Sequence, residues 1–157
     1  MEKPGWQGRY YEDFEIGDVY RHPLARTVTE SDNTLFTMLT MNTNPIHFDA
    51  EYAKKTEFGR ILVNSCFTLS LVVGQSVTDL SMHVMANLGW TDVVLPSPVF
   101  IGDTIRAHSE ILKKRESQSR HDVGIVTARS VGTNQREEVV ISYERTFMVY
   151  KRGHGPS

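Results

Sequence analysis

His47 lies in the run Met41-Asn42-Thr43-Asn44-Pro45-Ile46-His47-Phe48-Asp49-Ala50. Asn favours turns and Pro drives the residue before it out of the α region, so this run breaks any helix that reaches it. A histidine mounted on such a turn is well placed to give or take a proton near neutral pH. Seventeen residues later, Asn64-Ser65 opens an apolar stretch of helical spacing. The first turn of a helix offers free backbone N–H groups and a positive dipole end, which suit a developing oxyanion. An imidazole and a helix N-terminus together can polarise a carbonyl and move a proton. Spacing alone does not join them, so the fold has to.

The elements that would position them can be read from periodicity. From Ser31 to about Met41, the residues Leu35, Phe36, Met38 and Leu39 recur at helical spacing, with Thr29, Ser31 or Asp32 available as the N-cap. Asp49 to Lys55 predicts a second short helix capped by Asp49. The third, roughly Asn64 to Leu80, carries a stripe of Cys66, Leu69, Val73, Val77 and Leu80, widened by Phe67, Leu71 and Val72. A helix this apolar is expected to be wrapped by other structure. Beyond it the period changes to two. Ile105, Ala107, Ser109 and Ile111 alternate with Arg106, His108 and Glu110, and Val139, Ile141, Tyr143, Phe147 and Val149 with Ser142, Glu144 and Thr146. With Ala86 to Leu95 and Val123 to Ser130, these predict an antiparallel sheet turning at Gly102-Asp103, at 116–122 and at Gly132-Thr133-Asn134. Val19 to Thr29 is expected to be extended. Helices first and strands last point to an α+β class with a long helix on one sheet face. Residues 1–16 are expected to form a loosely held N-terminal arm, 17–152 the single domain, and 153–157 a flexible C-terminal tail.

Composition excludes several function classes. The 157 residues carry 17 Lys+Arg against 19 Asp+Glu, a net charge of -2, which argues against binding duplex nucleic acid. No apolar run approaches the ~18–20 residues that cross a bilayer, and Met1 to Trp6 lacks a signal-peptide core, so no membrane association is expected. The single Cys66 cannot form an intrachain disulfide, which fits a reducing cytoplasm, and among apolar neighbours it is expected to be a buried small side chain rather than a nucleophile. With one Cys and no paired-His spacing, no metal site is expected.

Three stretches resemble one family. The run from Phe36 to Ala53, with Asn44-Pro45-Ile46-His47 inside it, resembles the hydratase signature of the MaoC-like, (R)-specific enoyl-CoA hydratases. Pro98-Val99-Phe100-Ile101-Gly102-Asp103 resembles their later strand entry, and Phe58-Gly59-Arg60 to Ser65 the segment before their central helix. The resemblance spans about Tyr10 to Lys151. It implies a hot-dog fold, in which a curved antiparallel sheet wraps a long helix. It also implies a homodimer or higher even oligomer with the active site at or near the interface, and reversible addition of water to a 2-enoyl-CoA thioester. No cofactor is implied beyond the coenzyme A of the substrate. In that family an Asp and a His five positions later activate the water. The His matches His47, but the Asp position holds Asn42, whose neutral amide can hold a water and cannot take its proton. The family's oxyanion donor is a backbone N–H that matches Ser65, preceded by Asn64 where a His is common. Leu39-Thr40-Met41-Asn42-Thr43-Asn44-Pro45 resembles a subgroup linked to branched or dicarboxylic C5 substrates such as mesaconyl- or itaconyl-CoA.

On this reading His47, Asn42 and Ser65 are catalytic. Asn44, Asn64, Arg60, Arg115 and Arg120 are candidate substrate contacts, with Lys54, Lys55, Lys113 and Lys114 as further cations for coenzyme A phosphates. Each residue has a plainer reading. A lone histidine is more often structural than catalytic. Asn42 can simply cap a helix, and Asp49 is an N-cap before it is a base. His47 and Asp49 lack a third metal ligand. His22, His83, His108 and His121 are expected on the surface or in packing, and Trp6, Trp90 and Tyr10-Tyr11 in the core or a dimer contact. Two other functions stay open: a non-catalytic acyl-CoA-binding protein, and an acyl-CoA thioesterase, for which no carboxylate stands at position 42.

Overall fold

The computed structural model of the protein describes residues 1–156. Helix α1 (Glu30–Leu39) begins at Thr29 in a capping box: the Thr29 hydroxyl accepts the Asp32 N–H, and the Asp32 carboxylate accepts the Thr29 N–H. Arg26 grips the same carboxylate through two N–H groups, at 2.7 and 2.9 Å, tying the helix start to a short strand. The hydrogen bonds from Arg26 hold the Asp32 carboxyl far below the usual carboxylate range. Helix α1 ends in a Schellman motif, with the Asn42 N–H on the Thr37 carbonyl and the Met41 N–H on the Met38 carbonyl. Met41 itself occupies the left-handed position at φ 56°. The cap is therefore made by Met41, and Asn42 is the first residue beyond it.

After the 3-10 turn Pro45–His47 come α2 (Ala50–Ala53), capped by Asp49, and α3 (Ser65–Ser76), which runs into one π-helical turn, Val77–Ser81. The strands are β1 (Val19–Arg21), β2 (Arg26–Thr27), β3 (Val84–Val94), β4 (Thr104–Glu116), β5 (Val123–Thr133) and β6 (Val139–Tyr150). They lie in the order β1-β4-β5-β6-β3, every pair antiparallel, with β2 also on β4. The sheet wraps α3, the hot-dog arrangement of the α+β class.

Several expectations change in detail. Helix α3 buries Thr68, Val72 and Ser76; of the expected stripe Cys66, Leu69, Val73, Val77 and Leu80, Leu80 alone is fully covered, on the π-helical turn beyond α3. The sheet approaches too closely for bulk: a Cβ on Gly132 of β5 would lie 2.7 Å from a Val72 methyl. Gly132 is thus strand interior, and the hairpin turn lies further on at Asn134, whose side-chain oxygen accepts the Arg136 and Glu138 N–H groups. A register shift beside that turn buries Val140 and exposes Val139. Cys66 is exposed, because it sits on the α3 face turned away from the sheet. The N-terminal segment is anchored: the Trp6 indole N–H donates to the Thr78 carbonyl at 3.0 Å, and Tyr11 packs over Gly124 so closely that a Cβ there would overlap its ring.

The core has two apolar clusters, one around Val63, Val72, Ile105 and Ile141, the other around Phe14, Leu80, Val126 and Phe147. Between them runs a buried polar seam. Ser109, Ser130 and Tyr143 are inward-facing cross-strand neighbours, and the two serine oxygens lie 2.7 Å apart. His22 meets Ser109 Oγ through Nε2 at 2.9 Å and donates through Nδ1 to the Asp79 carboxylate at 2.8 Å. Asp79, on the π-helical turn, also accepts from Arg9 at 2.9 Å. Arg145 is 2% exposed and rests on Asn87 Oδ1 (2.8 Å) and Ser76 Oγ (3.4 Å) rather than on a carboxylate. Burial holds its guanidinium below the usual arginine range. The alternation of β6 placed position 145 inward, so the seam turns a side chain normally found outside into a core residue.

The capping box and Met41 each give a testable consequence. Because its folded-state pKa is depressed, Asp32 contributes stability above about pH 4, and that stability is lost as pH falls through the lowered value. Asp32→Ala should cost about 1–2 kcal/mol at pH 7 in urea denaturation, and the gap to wild type should narrow in acid. Met41→Gly removes the left-handed penalty and should raise stability by up to about 1 kcal/mol in the same assay.

Candidate active site

The α1–α2 connection, the segment before α3 and the Pro98–Asp103 corner converge at one end of the sheet. The Leu62 N–H donates to the Ile46 carbonyl at 3.1 Å and the Val63 N–H to the Val99 carbonyl at 2.9 Å, while Leu62 bridges to Phe100. His47 closes the Pro45–His47 turn, which the Asn44 side-chain oxygen caps by accepting the Ile46 N–H at 3.2 Å. His47 is 8% exposed, and its Nδ1 lies 2.8 Å from the Leu62 carbonyl oxygen. A carbonyl oxygen can only accept, so Nδ1 carries the hydrogen, and in the neutral ring Nε2 is the nitrogen free to take a proton.

Three residues past Leu62, α3 begins. Its N-cap is Asn64, whose Oδ1 accepts the Cys66 N–H at 2.9 Å. The Ser65 N–H has no acceptor among the described residues. Ser65 lines a cavity of about 220 Å³ together with Phe58, Leu62, Val63, Thr68 and Pro98. An unpaired donor at the positive end of a helix suits an oxygen that gains negative charge, and the residue that carries it borders this largely apolar cavity, whose lining does not include His47. The fold thus joins what sequence spacing left apart: the carbonyl that orients His47 and the free N–H of Ser65 belong to one short segment.

The other predicted contacts divide. Asn42 is half-buried, and its Oδ1 accepts the Asn44 N–H at 3.0 Å, so its oxygen shapes the turn while its amide N–H groups have no acceptor among the described residues. Asn64 is 3% exposed, its oxygen on Cys66 and its Nδ2 on Thr37 Oγ1 at 3.3 Å. It caps α3 through its oxygen, and one of its two Nδ2–H groups is engaged by Thr37. The Asn44 oxygen is likewise engaged in capping. Arg60 lies beside this corner, its guanidinium 3.8 Å over the Phe100 ring. Arg115 and Arg120 do not join it. Arg115 sits at the far end of β4, about eleven residues or roughly 35 Å of strand from Thr104, and Arg120 lies in the β4–β5 connection beyond it, held by Asp122. Two residues that sequence reasoning missed complete the support: Asn33 and Thr37, buried on one face of α1. The available signal was a pair of polar side chains at i, i+4 on the face that has to meet α3.

The family model described as MaoC like domain matches residues 13–133. The chain is 34% identical over 145 residues to a mesaconyl-CoA hydratase from Cereibacter sphaeroides, across 92% of this chain and 42% of that protein. It is 31% identical over 148 residues to an (R)-specific enoyl-CoA hydratase from Rhodospirillum rubrum, across 92% of this chain and 94% of that protein. The crystal structure of a MaoC-like dehydratase from Rhodospirillum rubrum superposes with a TM-score of 0.81 at 26% identity, covering 94% of this chain and 100% of the other. The chain therefore spans about two fifths of the mesaconyl-CoA hydratase and nearly the whole length of the enoyl-CoA hydratase.

Proposed function

The chain belongs to the family of MaoC-like domains, and from that premise we propose that it hydrates 2-enoyl-CoA thioesters, or dehydrates their 3-hydroxyacyl products. The observation that carries the reading is the hydrogen bond from His47 Nδ1 to the Leu62 carbonyl, which leaves Nε2 free as base and ties the imidazole to the segment that also presents the free Ser65 N–H. In the forward direction a water O–H bond breaks as Nε2 takes the proton and the oxygen bonds to the β-carbon. The alkene electrons move toward the thioester oxygen, where the Ser65 N–H and the α3 dipole stabilise the charge. The proton then passes from Nε2 to the α-carbon. Asn42 orients the water through its free amide N–H groups, leaving His47 to manage the proton alone. A branched or dicarboxylic C5 acyl group such as mesaconyl is the favoured substrate, supported by the likeness to the mesaconyl-CoA hydratase. Arg60 and Lys55 are the cations assigned to the coenzyme A phosphates; Lys54 already pairs with Glu51.

The proposal includes a cytoplasmic homodimer. Strand β3 leaves one edge of the sheet unpaired and exposes Leu88, Trp90, Val93 and Val94, a surface that a second copy would cover. One specific observation favours a second function, acyl-CoA binding without turnover: position 42 carries an amide whose oxygen is already taken by the Asn44 N–H.

Loss of enoyl-thioester absorbance across a panel of short, branched and carboxylated enoyl-CoA substrates separates the two. Turnover is expected, fastest with a C5 branched substrate; tight binding with no turnover would leave the binding function. His47→Ala should lower turnover by about 10²–10⁴-fold with the fold intact, and near-normal turnover would remove His47 from the mechanism. Asn42→Ala should slow the reaction, whereas Asn42→Asp should retain or raise it. Light scattering at micromolar concentration should give twice the chain mass, and a monomer would overturn the proposed assembly.

A further inference from the structure

Three backbone groups around the proposed site converge on one side chain. Asn33, in the second turn of α1, is 0% exposed. Its Nδ2 donates to the His47 carbonyl at 2.8 Å and, over a longer 3.4 Å, to the Leu62 carbonyl. Its Oδ1 accepts the Asn64 N–H at 2.9 Å. The first carbonyl belongs to the residue that bears the imidazole. The second is the one that receives the His47 Nδ1–H, and the N–H belongs to the residue just before Ser65.

Backbone polarity dictates the side chain this arrangement needs. Carbonyls only accept and N–H groups only donate, so a group bridging them must carry a donor and an acceptor on separate atoms. An amide does so. A carboxylate has no donor, and a hydroxyl places donor and acceptor on one atom, too short to reach both segments. Asn is a poor helix former and is seldom fully buried, so its presence inside α1 calls for such a role. Helix α1 also ends in the Schellman motif that launches the His47 turn, which makes Asn33 a strut between three pieces of chain.

We infer that Asn33 is a positioning residue for the proposed hydration, fixing His47 Nε2 relative to the Ser65 N–H by joining the His47 carbonyl, the Leu62 carbonyl and the start of α3. The inference rests on the hydratase reading for its effect on rate, though the effect on His47 itself does not. Asn33 touches no substrate, so its loss should act on the rate at saturation rather than on binding.

The test compares Asn33→Asp, which keeps the side-chain size, with Asn33→Ala. In the Asp variant Oδ1 can still accept from Asn64, but the donor is missing unless the carboxyl is protonated. Burial against two carbonyls pushes that carboxyl upward. Relative to wild type, kcat of Asn33→Asp should be lowered by about 10–100-fold at alkaline pH and should recover as pH falls and the O–H donor returns. KM should change little. Asn33→Ala, if folded, should be slow at every pH. The His47 tautomer, read by nitrogen NMR of labelled histidine, should be Nδ1–H in wild type and a mixture in Asn33→Ala and in ionised Asn33→Asp. Folded variants with wild-type kcat and an unchanged tautomer would overturn the inference. So would a loss of rate in Asn33→Asp that follows melting temperature alone, without recovery in acid. If wild type turns over no thioester, the proposed function fails, and the tautomer readout still decides the role of Asn33.

Discussion

The distance between α3 and the sheet governs the rest of the molecule. Gly132 on β5 and the modest side chains Thr68, Val72 and Ser76 on α3 allow close approach, and any larger group at Gly132 would collide with Val72. With the helix seated at that depth, its first turn comes level with the Pro98–Asp103 corner. The segment before it can then pair with Val99 and Phe100. The carbonyl of Leu62 and the N–H of Ser65 are both placed by this pairing, so the site inherits its geometry from helix–sheet packing. Interiors pack at near-crystalline density and yield little to added volume, which is why a packing contact can serve as the datum for a set of hydrogen bonds.

From that datum outward the site is built of backbone as much as of side chains. His47 is oriented by a main-chain carbonyl, the oxyanion donor proposed for the site is a main-chain N–H, and Asn42, Asn44 and Asn64 each accept a main-chain N–H within two residues. Asn is suited to this work because its short amide folds back on its own backbone. The density of Asn between positions 42 and 64 is thus largely a matter of holding turns, and the amide nitrogens of Asn42 and Asn44 have no acceptor among the described residues.

The strands and the candidate base were legible in the sequence because their signals are local. Period-two alternation in β4 and β6, the apolar stretch of α3 and the Asn-Pro-Ile-His run each lie within about a dozen consecutive residues. The buried face of α3 was not, because a helix apolar on nearly every side offers more than one stripe, and the one from Cys66 to Leu80 is not the face that packs on the sheet. The interactions that escaped reading join distant positions: Asn33 with Asn64, His22 with Asp79 and Ser109, Arg145 with Asn87. A lone His22 or an Arg145 on a strand gives no sign of such a partner. Arg115 and Arg120 were misplaced for a related reason, since charge type says what a residue can bind and only strand order says which end of the sheet it occupies.

The polar seam settles a question that apolar packing leaves open. A helix covered in Leu, Val and Phe could rest on the sheet in several rotations with similar burial. Turning α3 by one residue, ~100° about its axis, would swing Ser76 away from Arg145 and Asp79 away from His22, stranding the buried imidazole from its carboxylate and leaving the buried guanidinium on Asn87 alone. Stranded groups of that kind are costly, so the alternative seatings are penalised even where their apolar contacts are good. In this sense the seam works as the bitting of a key. It adds little to how firmly the helix is held, and it specifies the one orientation in which the helix can be held at all.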